Sequence, residues 1–231
     1  MSALPKSSGP NFEAARNNMI ESQLRPNKVR DERILSAMGS LPREMFVPSS
    51  VASIAYIDED VQIAGGRYLL EPMVLARLIE EAGVKSTDRV LDIGMASGYS
   101  TVVLASMAQE VIGVEADSVL QKQATANLAS LGINNARAVL GPLAEGYAGK
   151  APYDVIIING GAEQIPTALF DQLAEGGRLM AVVREYGPAQ AAHTGEARLY
   201  EKIHGNISHR VVFDANVKLL AEFAAPPKFK F

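Results

Sequence analysis

The feature that most constrains this chain is the alternation that begins at Asp88. RVLDI, EVIGVEA, ARAVL, YDVIIING and RLMAVV are short apolar runs, and YSTVVLASMAQ, DSVLQKQATANLASL and PTALFDQLAEGG lie between them. The first kind reads as strand and the second as helix, by continuous burial in one case and helical spacing of apolar residues in the other. Strands alternating with helices imply an α/β fold with a Rossmann-like, doubly wound, mostly parallel sheet. Its ligand is expected outside the carboxyl ends of the strands. YDVIIING is apolar on both faces and belongs at the sheet centre. From about Arg198 the pattern becomes RLYEKI followed by HRVVFDANVKLL, with no helix between them. That predicts a C-terminal antiparallel hairpin and a mixed sheet.

The first third reads as helical. FEAARNNMIESQL brings Phe12, Ala15, Met19 and Leu24 near one face, and DERILSAMGSL does the same with Ile34, Leu35, Met38 and Leu41, with Asp31 as its cap. Pro42 and Pro48 break the pattern into loop. A third helix is expected to start at Pro72 and to stop at Gly83, and Gly132 suits a left-handed cap after the long helix before it. The Pro- and Ser-containing first ten residues read as a frayed end.

The chain has 231 residues, a net charge of −4 and no cysteine. Disulfides, thiolate nucleophiles and Cys-ligated zinc are thereby excluded, and the charge gives no electrostatic reason for a nucleic-acid partner. No secretory signal or membrane-length apolar run is visible, so a cytoplasmic protein with no membrane partner is expected. His193, His204 and His209 lack metal-ligand spacing, so no metal is expected. Oligomeric state is not legible.

The first strand–helix junction, VLDIGMASGYS over Val90–Ser100, reads as a cofactor loop. Glycines let a backbone approach a ligand where a Cβ would block it. Gly94 and Gly98 are present, but the third glycine of the dinucleotide fingerprint is absent, as is a Lys-Ser/Thr phosphate loop. The D-x-G-x-x-x-G pattern resembles the S-adenosylmethionine loop of class I methyltransferases. Glu115 ends the next strand, where a carboxylate can accept ribose hydroxyls. Nicotinamide enzymes use the same device, so Glu115 alone does not name the cofactor.

Several blocks together resemble one family, the protein-L-isoaspartate O-methyltransferases. MIESQLRPNKVRDERILSAMGSLPREMFVP is similar to that family's N-terminal region, and AYIDEDVQIAGGRYLLEPMVLARLIE to its substrate-loop segment. DRVLDIGMASGYSTVVLA, VIGVEA and YDVIIINGGAEQIPTALFDQLAEGGRLM follow in the family's order, so the resemblance runs from about residue 13 to 185. It implies a single methyltransferase domain, with residues 1–87 as a helical and substrate-loop region and 88–231 as the cofactor-binding core. It also implies transfer of a methyl group from S-adenosylmethionine to a carboxylate oxygen of an isoaspartyl protein or peptide, a protein-repair reaction. Gly94, Met95, Ser97 and Gly98 would surround the methionine part of the cofactor, with Asp92 orienting its amino end. Glu115 and Ala116 would meet the ribose, and Gly141, Pro142 and Leu143 the adenine. Residues 67 to 71 would face the acceptor, with Arg67, Leu70 and Glu71 as the catalytic-side residues.

The sequence also departs from the family pattern. The Thr/Ser-Ile-Ser triplet that the family carries before the proline is here Tyr68, Leu69 and Leu70, which removes the last hydroxyl. Ala96 stands where the family has glycine, a mild change, and Pro142 stands where it has an aspartate. The tail ending PPKFKF is unlike the family's usual ending. A carboxylate acceptor is already anionic at pH 7 and needs no general base, so Leu70 does not exclude methyl transfer. It does weaken isoaspartate as the acceptor, and the guanidinium of Arg67 could replace part of the lost contact. Two alternatives remain open: the same cofactor with a different acceptor, or a non-catalytic cofactor-binding protein.

Overall fold

The computed structural model describes residues 10–184 and 194–225; the frayed end predicted for the first residues, His193 and the PPKFKF tail lie outside them. Among these residues the helical first third consists of α1 (Phe12–Met19), a π-helical turn over Ile20–Leu24, α2 (Glu32–Ser40) and two 3-10 turns. The Asp31 side chain caps α2 by accepting from Arg33 N at 2.9 Å, as its position predicts. A two-stranded hairpin follows, β1 (Val61–Ala64) and β2 (Arg67–Leu69), and then α3 (Pro72–Ala82). Pro72 opens α3 and Gly83 closes it in the left-handed conformation.

Seven strands of the described residues form the main sheet: β3 (Arg89–Ile93), β4 (Glu110–Glu115), β5 (Ala136–Leu140), β6 (Tyr153–Ala162), β7 (Leu173–Val183), β8 (Gly195–Ile203) and β9 (Asn206–Ala215). Their spatial order is β5-β4-β3-β6-β7-β8-β9. The first five run parallel, and β8 and β9 are antiparallel additions. The strand order reverses between β4 and β6 around β3, so the crevice expected for a ligand lies at the carboxyl ends of β3 and β6.

Alternate residues along the central strands feed two cores. Val90, Val111, Val155 and Ile157 point to the face that α1 to α3, α4 (Tyr99–Ala105) and α5 (Ser118–Ser130) cover. Leu91, Ile93, Ile112, Ile156 and Ile158 point to the other face. That face has thinner cover: Leu143, Leu169 of α6 (Thr167–Asp171), and Leu220 and Phe223 from the end of the chain. No helix among the described residues is long and apolar enough to cross a membrane.

Two elements differ from their sequence reading. The helix expected over PTALFDQLAEGG stops at Asp171, and Leu173 already pairs with Tyr153 in the sheet. Gln172 explains the early stop. Its side chain donates to Glu145 O at 2.7 Å and Ala168 O at 2.9 Å and accepts from Tyr147 N at 2.8 Å, and its carbonyl takes Tyr153 N at 2.8 Å. Tertiary hydrogen bonds thus override local helix preference. The last strand ends at Ala215 rather than running through to Leu220. Residues 216–225 leave the hairpin and cross the carboxyl end of β6, where Leu219 forms a parallel bridge with Gly161.

Candidate active site

The junction after β3 turns as its glycines require. Gly94 (φ +72°) and Gly98 (φ +96°) are left-handed, and a Cβ at Gly98 would lie 3.1 Å from that of Ala124 on α5. Gly98 therefore serves helix packing. Ala96 also has positive φ, +51°, an arrangement that costs a non-glycine residue about 1–2 kcal/mol. The exchange of glycine for alanine here is thus a strained one, where the sequence suggested a mild change.

Beneath the loop, Asp92 is fully buried. It accepts from Ser100 Oγ at 2.7 Å, Thr101 Oγ1 at 2.6 Å and the amide of Asn159. Burial pushes its carboxyl pKa up, and these three donors oppose the shift. Its donors all come from within the fold, so its visible work is to tie β3, α4 and β6 together. Asn159 has one buried orphan: its side-chain oxygen accepts no hydrogen bond, and the residue lines the cleft. An unpaired buried acceptor at a crevice is where a donor group of a ligand would be welcome.

The other loop residues divide by direction. The Met95 sulfur packs over Gly113, where a Cβ would come within 2.3 Å of it, so the side chain fills the core while the loop around it lines the cleft. Ser97 is buried and turned away, donating to the carbonyl of Phe46. Tyr99 packs edge-on against Phe46 with ring centres 5.2 Å apart. Leu143 is buried and lies 3.6 Å from where a Gly94 Cβ would be. Gly141 N donates to Glu115 O at 3.0 Å, which brings the β5 loop, with Pro142, beside the end of β4.

Glu115 sits at that end, buried among donors. It accepts from Ala96 N at 3.0 Å, Ala116 N at 2.8 Å and Asp117 N at 3.0 Å. Its fourth partner is Arg67, whose Nε lies 3.0 and 3.2 Å from the two carboxylate oxygens. Arg67 comes from β2, and its other edge grips Glu222 near the end of the described chain, Nη2 to Oε1 at 2.6 Å. Burial alone would lower the Arg67 pKa, but the two carboxylates outweigh it and the net shift is upward. Sequence reasoning singled out Arg67 and Glu115 separately; it missed that they meet, and it missed Glu222.

Among the residues expected to face the acceptor, Leu70 is buried and lines the cleft, and its carbonyl is held by the buried Arg43. Arg43 also donates to Ala55 O at 2.6 Å and stacks over Tyr99 at 4.9 Å. Glu71 stands beside Asp58, Glu59 and Asp60. Burial and then these neighbouring carboxylates push its pKa up to about 7. The Glu71 backbone N donates to Asp60 at 2.8 Å, which fixes the entry to α3. Of the histidines, His204 lies in the β8–β9 turn and His209 is exposed on β9, with its ring 5.1 Å from that of Tyr200.

The family model described as protein-L-isoaspartate(D-aspartate) O-methyltransferase matches residues 14–219. The chain belongs to the protein-L-isoaspartate O-methyltransferase family. A protein of that name from Methanoculleus marisnigri is 39% identical over 168 residues, covering 73% of this chain and 76% of that one. One from Koribacter versatilis is 38% identical over 183 residues, covering 79% and 82%. A solved protein-L-isoaspartate O-methyltransferase superposes with a TM-score of 0.74 at 25% identity, over 90% of this chain and 67% of that chain. A Plasmodium falciparum structure titled a putative member of the family, in complex with S-adenosyl-L-homocysteine, shares the fold with a TM-score of 0.74. It is 23% identical, over 92% of this chain and 99% of its own.

The methyl donor that the family implies can be tested against these residues. The chemistry of the cradle fits: a glycine-turned loop and an orphan amide oxygen line one crevice, and a strand-terminal carboxylate is tied to that loop through Ala96 N. The space does not. The cavity between the loop and residues 68–70 encloses about 10 Å3, room for a single water at most, where ligand pockets run to about 300–1,000 Å3. Arg67 occupies Glu115, and Leu220 lies 3.3 Å from a Gly94 Cβ position.

Proposed function

We propose that this protein is an S-adenosylmethionine-dependent methyltransferase that esterifies a side-chain carboxylate, with isoaspartyl residues in proteins or peptides as the acceptor. The observation that carries this reading is the position of Glu115. It closes β4 directly beside the glycine loop, and the backbone N–H of Ala96 in that loop binds it. Family membership supports the same reaction. When bound, the donor supplies an electrophilic methyl group on sulfonium. The chain's own part is to orient a carboxylate that is already anionic, so proximity rather than proton transfer is the contribution expected of it. In this reading Arg67 provides the cation for the acceptor carboxylate and Leu70 an apolar wall. Glu71 stands at the rim, and Gly94, Asn159 and Glu115 face the donor.

A second acceptor class is favoured by one feature. Asp58, Glu59, Asp60 and Glu71 crowd the segment that leads to Leu70, and such a rim repels an anionic peptide and attracts a cationic one. An acceptor carboxylate flanked by lysine or arginine satisfies both observations. Methyl transfer should be compared between isoaspartyl and aspartyl peptides, each with acidic and with basic flanks. Transfer to the isoaspartyl peptide with basic flanks is expected to be fastest. Equal transfer to the aspartyl peptides would remove isoaspartate as the acceptor, and absence of donor binding at millimolar concentration would remove the enzyme reading altogether.

A further inference from the structure

The space that the donor needs is filled by this chain itself. Residues 216–225 return across the end of β6 and are seated there by backbone bonds: Gly161 N to Lys218 O at 2.8 Å, Leu220 N to Gly161 O at 2.9 Å, and Glu163 N to Phe223 O at 3.0 Å. Glycines make the seat possible. A Cβ on Gly160 would lie 2.6 Å from Leu220 Cγ, and one on Gly161 would lie 3.3 Å from Val217 O. The Leu220 side chain thereby reaches Gly94, the residue whose bare backbone a cofactor would approach.

Two residues on, Glu222 grips the guanidinium that covers Glu115. The three side chains form a line of alternating charge, carboxylate–guanidinium–carboxylate, with Glu115 and Arg67 buried and Glu222 at 30% exposure. A buried guanidinium between two carboxylates is held less firmly once either is removed, since the other interaction must then carry the desolvation alone. Glu222 is the exposed end of that line and so its most easily released member.

We propose that residues 216–225 form a latch that holds the donor cleft shut, with Leu220 as its plug and the Glu222–Arg67–Glu115 line as its fastening. Donor binding and latch release are then one equilibrium. The apparent affinity for the donor is lowered by the fraction of molecules that are latched, and whatever draws the segment away raises it. Freeing Arg67 also turns a guanidinium from Glu222 towards an incoming carboxylate. The same event thus exposes the donor site and the cation proposed for the acceptor. The latch rests on the donor assignment of the previous section, and its test separates the two.

S-adenosylhomocysteine should be titrated by calorimetry into the full-length protein, Glu222→Gln and Leu220→Ala. Amide exchange should be followed in each, with and without ligand, in peptides spanning 94–98, 115–117 and 216–225. Glu222→Gln is expected to bind on the order of threefold to tenfold more tightly than the parent, the range left for one partly exposed charged hydrogen bond, and Leu220→Ala is expected to bind more tightly as well. Ligand should accelerate exchange in 216–225 of the parent while slowing it in 94–98. Slower exchange in 216–225 on binding, with variants that bind no tighter than the parent, would overturn the latch and make the segment part of the donor site. If none of the three proteins binds, the donor assignment falls. The latch is then decided by the unliganded proteins: faster exchange at 94–98 and 115–117 in both variants supports it, and unchanged exchange refutes it. Glu222→Gln changes a partly exposed side chain, so the test does not depend on Leu220→Ala folding.

Discussion

Thr101 Oγ1 donates to Asp92 Oδ2 across 2.6 Å and so ties the first turn of α4 to the end of β3. Ser100 and Asn159 complete the arrangement from the helix and from β6. Replacing Asp92 by alanine leaves three buried donors without their acceptor, and each such orphan costs about 1–3 kcal/mol. Asp92→Ala is therefore expected to lose about 3 kcal/mol or more of folding stability. Urea unfolding should show the midpoint falling with an unchanged slope; a loss below about 1 kcal/mol would mean that the donors find other partners.

The elements legible in the sequence are those whose signals are local. Asp31 as a cap, Pro72 as a helix start, Gly83 and Gly132 as left-handed stops, and the apolar strands from Val90 onward all act within a few residues. What was not legible depends on partners far along the chain. Arg67 meets Glu115 and Glu222 across 48 and 155 positions, and no periodicity encodes such a meeting. The return of residues 216–225 left one trace: the Gly160–Gly161 pair inside a strongly apolar strand, where glycine commonly marks the close approach of another backbone. The loop pattern suggests Asp92 as a cofactor contact; the hydroxyl and amide donors that it meets in the structure come from positions that look like ordinary helix and strand residues.

The loop position at Ala96 gives a prediction with an unusual sign. Glycine in a regular element weakens it, and Ala126→Gly on the exposed face of α5 should cost about 1 kcal/mol. At Ala96 the backbone is already left-handed, so Ala96→Gly removes a strain of about 1–2 kcal/mol while adding unfolded-state entropy worth about 0.5–1 kcal/mol. Ala96→Gly should leave the protein as stable as the parent or more so by thermal unfolding. A loss as large as that of Ala126→Gly would contradict the strained geometry.

Glu71 predicts how stability depends on pH. Its carboxyl titrates near pH 7 in the folded protein, raised first by burial and then by Asp58 and Asp60, against an ordinary value of 4.5. The folded state therefore binds the proton more tightly than the unfolded state does. The contribution of Glu71 is fully present below about pH 4.5 and is lost as pH rises through about 7. Glu71→Gln keeps the neutral form at all pH values, so it should raise the melting temperature at pH 8 and leave it nearly unchanged at pH 4.5. Equal shifts at both pH values would show that the carboxyl is not crowded by its neighbours.

Arg43 is the residue on which the segment around Leu70 hangs. It is fully buried, holds the carbonyls of Ala55 and Leu70 with different nitrogens of one guanidinium, and lies over the Tyr99 ring. Burial pulls its pKa down, so its charge is there for geometry and at some cost. A lysine ammonium is a single point and cannot span both carbonyls, and it deprotonates more readily when buried. Arg43→Lys should therefore be as harmful as Arg43→Met, each losing about 2–4 kcal/mol through orphaned carbonyls. In both variants amide exchange should quicken in residues 67–71 before the rest of the sheet, because the Leu70 carbonyl loses its anchor. If lysine rescued most of the stability that methionine loses, charge alone would suffice, and the forked contact to Leu70 would not be what positions the segment.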